Sequence, residues 1–134
     1  TPTVILEVGT GSGYQTALLS KFCDQPYSVE RISDLVKKAR QRLRTLSVDN
    51  VAIYHSDGFE GLEKHSPYDG ILVTAAPKEI PEVMLHQLAD GGRMVVPVGL
   101  ELNQDLKIID KTEKGLIERS AEKVRFVPLV SGKT

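Results

Sequence analysis

The pattern of apolar and polar positions switches repeatedly between strand-like runs and helical periods. Val4-Ile5-Leu6-Glu7-Val8, apolar except for Glu7, predicts a strand buried on both faces of a parallel sheet. A helical pattern over residues 13–22 follows, and Asp24-Gln25-Pro26 interrupts it. Tyr27-Ser28-Val29-Glu30 predicts a second short strand. Ile32, Leu35, Val36, Ala39, Leu43 and Leu46 recur at helical spacing and predict a helix over residues 32–46. Asp49-Asn50 is a turn, and residues 51–55 form the third strand. Residues 61–67 suit a helix end and loop, and 70–73 the fourth strand. A helix beginning at Ile80-Pro81 runs through Leu88 and is expected to end at Gly91-Gly92, as glycine C-caps do. Residues 94–98 predict a fifth strand. Residues 106–109 and 124–127 predict a final antiparallel pair, with the polar stretch 111–115 between them. Strands alternating with helices imply an α/β fold, mostly parallel. A length of 134 residues suits one domain over residues 1–134.

The junction of the first strand and first helix carries the chemistry. Gly9, Gly11 and Gly13 alternate directly after the strand. Strand, glycine loop and helix N-terminus begin a nucleotide-binding βαβ unit. The bland alternative is a tight strand-to-helix turn with no ligand. A dinucleotide fingerprint, G-x-G-x-x-G, needs a third glycine where this chain has Tyr14. The observed form is E-x-G-x-G-x-G, with Glu7 two positions before the first glycine. It resembles motif I of the class I methyltransferases that use S-adenosyl-L-methionine (AdoMet). An acid near the loop suits a cationic ligand better than a pyrophosphate.

Two more acids fall at strand ends. Glu30 lies 21 residues after Gly9, the distance at which an acid accepts hydrogen bonds from ribose hydroxyls. Asp57 follows the third strand, where ligands bind outside the carboxyl ends, and could accept an adenine amine; Asp57-Gly58 is also an ordinary turn pair. Thr74-Ala75-Ala76-Pro77 ends the fourth strand with small residues, leaving room above the sheet.

Composition narrows the partners. The net charge of −1 provides no global field toward nucleic acid or membrane. Lys37, Lys38, Arg40, Arg42 and Arg44 line one helix, without the aromatics of a nucleic-acid stripe, and are expected to form a solvated face. Cys23 is the single cysteine, which fits a reducing compartment. No run of about 18 apolar residues is present. His55, His65 and His86 have no ligand-like spacing, so no metal site is expected. Ser131-Gly132-Lys133-Thr134 has the end of a phosphate loop, but Val127 stands where that motif needs glycine.

A longer match follows in order along the chain. Glu7 to Ala17, Ser28-Val29-Glu30-Arg31, Asp57-Gly58, Pro67-Tyr68-Asp69, Val73-Thr74-Ala75-Ala76-Pro77, Gln87-Leu88, Gly91-Gly92, Pro97-Val98-Gly99 and Val124-Arg125-Phe126-Val127-Pro128-Leu129 together resemble the bacterial protein-L-isoaspartate O-methyltransferases. The resemblance implies a class I, Rossmann-like methyltransferase fold with AdoMet as cofactor. It implies methylation of the α-carboxylate of L-isoaspartyl residues in damaged proteins, a repair reaction. Glu7, Gly9, Thr10, Gly11, Ser12, Gly13, Glu30, Arg31, Asp57, Gly58 and Thr74 would bind the cofactor. Ala75, Phe126, Val127 and Pro128 would form the isoaspartyl pocket. No catalytic base is implied, because the acceptor is already ionised at neutral pH. The implied protein is a cytoplasmic monomer that binds neither nucleic acid nor membrane. Family members carry a region before motif I with a substrate-contacting serine, so the chain is expected to be a piece of a longer protein. A methyltransferase with another acceptor and a non-catalytic AdoMet-binding module are the competing readings; a nicotinamide oxidoreductase ranks below both.

Overall fold

The computed structural model describes residues 3–134. These residues form a seven-stranded sheet in the order β3-β2-β1-β4-β5-β6-β7. The strands are β1 (Val4–Val8), β2 (Gln25–Glu30), β3 (Ala52–His55), β4 (Tyr68–Val73), β5 (Leu88–Leu100), β6 (Asn103–Thr112) and β7 (Gly115–Val124). The helices are α1 (Tyr14–Leu19), α2 (Ser33–Thr45) and α3 (Glu82–His86). Strands β1 to β5 pair in parallel, and β6 and β7 join antiparallel. The chain grows outward from β1 toward β3, then returns to β4 on the other side. The strand order therefore reverses between β1 and β4, which is where α/β sheets open a ligand crevice.

The core has two parts. Leu6, Val8, Val29, Ile71, Val73, Met94 and Val96 pack with Met84 of α3, Leu88 and Tyr68. Ala17 of α1 meets Val36, Ala39 and Leu43 of α2 over Ile53. These α2 positions are those the helical spacing selects.

Three of the departures from the sequence expectation have a local physical reason. Pro26 lies inside β2 rather than before it: it pairs with Ile5, while the ladder to β3 begins only at Tyr27, so its missing N–H leaves no gap. The helix before β5 ends at His86, and Gly91-Gly92 do not cap it. Instead Gln87 leaves the helix and its carbonyl accepts from Tyr68 N–H at 2.8 Å. Leu88 then pairs with Tyr68, and Gly91 and Gly92 fall in the bulge where the β4–β5 register shifts. A Cβ at Gly92 would stand 2.8 Å from the Ala89 carbonyl. The last strand is β7 at Gly115–Val124, not residues 124–127. The polar stretch contains a tight hairpin turn, with Thr112 paired to Gly115. Residues 127–129 instead bridge to Ala76: its N–H donates to the Val127 carbonyl at 2.7 Å, and Leu129 N–H donates to its carbonyl at 2.9 Å.

Candidate functional site

The glycine loop leaves β1 with Gly9 and Thr10 N–H both directed at the Val29 carbonyl, at 2.9 and 3.3 Å. This ties the loop to the end of β2. Gly9 has φ 105°, and a Cβ there would lie 2.3 Å from Thr74 Oγ1. Only glycine meets both demands. The Thr74 hydroxyl lies within reach of the Gly9 carbonyl (2.8 Å) and the Val8 carbonyl (3.0 Å), so β4 closes the loop from the other side. Glu30 ends β2 nearly buried. Its Oε1 accepts from Gly11 N–H at 2.9 Å and its Oε2 from Ile32 N–H at 3.2 Å.

These elements surround a cavity of about 410 Å³ at the carboxyl ends of β1, β2 and β4. That is within the range of small-molecule sites. Of the residues predicted from sequence, Gly9, Gly11, Glu30, Arg31, Gly58, Thr74, Ala75, Val127 and Pro128 line it. Gly11 has open space where a side chain would begin. The remaining wall is apolar, from Val8, Val29, Ile32, Leu35, Leu129 and Val130. Ile32 and Leu35 carry no motif signal; they register in the sequence only as the first turn of an amphipathic helix.

The other predicted residues stand around or beneath the cavity. Asp57 is at the rim, with Oδ1 accepting from Phe59 N–H (2.9 Å) and Oδ2 from Gly132 N–H (3.0 Å). Its carboxylate has further lone pairs free for another donor. Phe126 faces another pocket and is clamped by Gln104, whose Oε1 accepts from Phe126 N–H at 2.8 Å and whose Nε2 donates to its carbonyl at 3.0 Å. Gln104 is buried in a strand that reads as exposed, so no pattern marks it. Thr10, Ser12 and Gly13 shape the loop without lining the cavity.

Glu7 is 1% exposed, below the loop. Its Oε1 accepts from the hydroxyls of Thr16 on α1 and Ser28 on β2, the latter at 2.7 Å. Thr10 Oγ1 pairs in turn with Ser28 Oγ. Burial pushes the Glu7 carboxyl above its ordinary range, against the opposing hydrogen bonds from Thr16 and Ser28. Glu7 thus pins β1, β2 and α1 together rather than facing the cavity.

Strand order, glycine loop and a cavity above the switch point define a class I methyltransferase fold, and solved methyltransferases share it. Residues 2–134 match the family described as Protein-L-isoaspartate(D-aspartate) O-methyltransferase (PCMT), and the chain belongs to that family. The protein-L-isoaspartate O-methyltransferase of Colwellia psychrerythraea is 52% identical over 131 residues, covering 98% of this chain and 60% of its own. A solved protein-L-isoaspartate O-methyltransferase is 32% identical with a TM-score of 0.88, over 96% of this chain and 42% of its own. A beta-aspartate methyltransferase (PCMT) from Plasmodium falciparum, solved in complex with S-adenosyl-L-homocysteine, is 26% identical with a TM-score of 0.78, over 96% of this chain and 66% of its own. The chain spans about 60% of the length of the curated relatives it matches.

Proposed function

We propose that this chain is the AdoMet-binding part of an enzyme that methylates the α-carboxylate of L-isoaspartyl residues in proteins. One observation carries the reading: in a chain of this family, the glycine loop, Glu30 and Gly58 converge on a single cavity of about 410 Å³. The residues present fit AdoMet. Gly11 leaves open the space a side chain would fill, the Glu30 carboxylate suits a ribose diol, and the apolar wall of Ile32 and Leu35 suits a purine. Gly9 to Gly13 would hold the methionine portion, with Glu7, Thr10 and Ser12 supporting them. Asp57 and Gly58 would face the adenine.

When bound, AdoMet supplies a methyl group whose carbon–sulfur bond breaks, the pair staying on sulfur, as a carboxylate oxygen forms the new bond. The protein's share is alignment and exclusion of water. The acceptor is ionised at pH 7, so no residue need take a proton. Glu30 and Arg31 are the only ionisable side chains among the described residues that line the cavity. Ala75 leaves space for the approach, and Phe126, Val127 and Pro128 would shape the acceptor pocket. Holding two reactants in line can lower a barrier by about 7–11 kcal/mol. We also propose that the protein works as a monomer in the cytoplasm on isoaspartyl-containing proteins. Among the described residues no helix is long and apolar enough to cross a membrane.

The test is incubation with methyl-labelled AdoMet and a matched pair of peptides, one isoaspartyl and one aspartyl. Label is expected as a base-labile ester in the isoaspartyl peptide alone, with the Colwellia psychrerythraea relative as control. Equal labelling of both peptides, or none by a full-length protein carrying this chain when that control succeeds, would overturn the proposal.

A further inference from the structure

Arg42 belongs to the basic stripe of α2, yet it does not behave as a solvated charge. Its Nε donates to the Ser12 carbonyl at 2.9 Å. Its guanidinium lies over the Tyr14 ring, 4.1 Å from the centroid, well within cation–π range. Gly13, between these two residues, rests against Ala39, one turn earlier on α2: a Cβ on Gly13 would be 3.2 Å from Ala39 Cβ. Three consecutive residues of the glycine loop are therefore held by two residues on one face of α2.

The peptide between Ser12 and Gly13 is fixed at both polar ends. Its carbonyl accepts from Arg42, and its N–H donates to the Thr10 carbonyl at 3.1 Å. A planar peptide with both groups engaged cannot rotate about its flanking bonds without breaking one of them. Gly13 has φ 88°, and glycine is the residue whose backbone gains most freedom when released. Tyr14 occupies the place of the dinucleotide fingerprint's third glycine, and here it is an exposed residue whose ring serves as the platform for Arg42.

We propose that Arg42 is a positioning residue for the cofactor: it holds residues 12–14 so that the loop stands ready before the ligand arrives. The proposal rests on the AdoMet-binding reading above. Arg42 does not line the cavity, so it acts through the loop backbone alone. A preset loop lowers the ordering cost of binding. Lysine cannot replace it fully, because one ammonium lacks the planar group that stacks while a second nitrogen donates.

The experiment compares the wild-type chain with Arg42→Met and Arg42→Lys. Hydrogen exchange is followed without ligand over residues 9–14, then S-adenosylhomocysteine is titrated calorimetrically. Arg42→Met is expected to speed exchange across the loop and to raise Kd roughly tenfold, because binding must then order a released loop. Arg42→Lys should recover part of the affinity. Unchanged loop exchange in Arg42→Met, or unchanged affinity where the wild type binds, would overturn the proposal. Absence of binding by the wild type would remove the cofactor reading, while the exchange data would still decide whether Arg42 holds the loop.

Discussion

Glu7 shows how a motif residue can be legible in type and unreadable in role. Its position before the glycines marks the loop, but its side chain turns down into a buried cluster with Thr16 and Ser28. Glu7 Oε2 has no partner among the described residues. Burial raises its pKa, so between the ordinary carboxylate range and the raised value the folded state binds more proton than the unfolded one. Stability should therefore fall as pH rises through that window and level off above it. Glu7→Gln removes the titration, and its urea midpoints should vary less as pH rises above the ordinary carboxylate range than the wild type's. An equal or steeper slope would contradict this. Gly9 is the opposite case, because its role follows from backbone geometry. Gly9→Ala forces a non-glycine residue to φ 105° and presses a methyl onto Thr74 Oγ1. The conformation alone costs about 1–2 kcal/mol. The variant should lose S-adenosylhomocysteine binding and melt at a lower temperature; full retention of both would contradict the assigned loop geometry.

The elements differ in how clearly the chain announces them. The parallel strands and α2 are visible because burial imposes a pattern: an apolar run in β1 broken only by Glu7, the apolar end of β4 at residues 71–73, and a clean apolar face in α2. Strand β7 is exposed along nearly its whole length, so polar residues occupy both faces and leave no period to read. It is held by pairing with β6, including the Lys107–Glu118 and Lys123–Asp105 bridges at 3.0 and 2.9 Å. The α3–β5 junction was obscured for a different reason. Gly91-Gly92 match a helix cap locally, and the deciding contacts come from distant residues. Gln87 Oε1 accepts from Leu62 N–H at 3.0 Å, and its Nε2 donates to the Glu60 carbonyl at 2.9 Å. Gln87→Ala strands those two backbone groups, at a cost of about 1–3 kcal/mol. A fall of several degrees in the thermal midpoint is expected; no fall would show that the junction is held elsewhere.

Taken together, the sheet and the loop bring Gly9, Gly11, Glu30, Arg31, Gly58 and Thr74 around one cavity although they are spread over 65 positions of the chain. The acids at the strand ends were legible because the parallel fold brings carboxyl ends together whatever the intervening sequence. The contributions of Arg42, Gln104 and the 127–129 bridge were not, since each depends on one side chain or short segment meeting a backbone far away in sequence. The chain spans about 60% of its relatives' length, so acceptor recognition and turnover are separate matters from cofactor binding. Calorimetric titration of this chain with S-adenosylhomocysteine, beside NAD and a Glu30→Ala variant, isolates the cofactor question. The wild type should bind S-adenosylhomocysteine and not NAD, and Glu30→Ala should weaken binding by roughly 10- to 100-fold, as expected for lost hydrogen bonds to a charged group. A folded chain that binds no S-adenosylhomocysteine, or that prefers NAD, would contradict the assignment of this cavity.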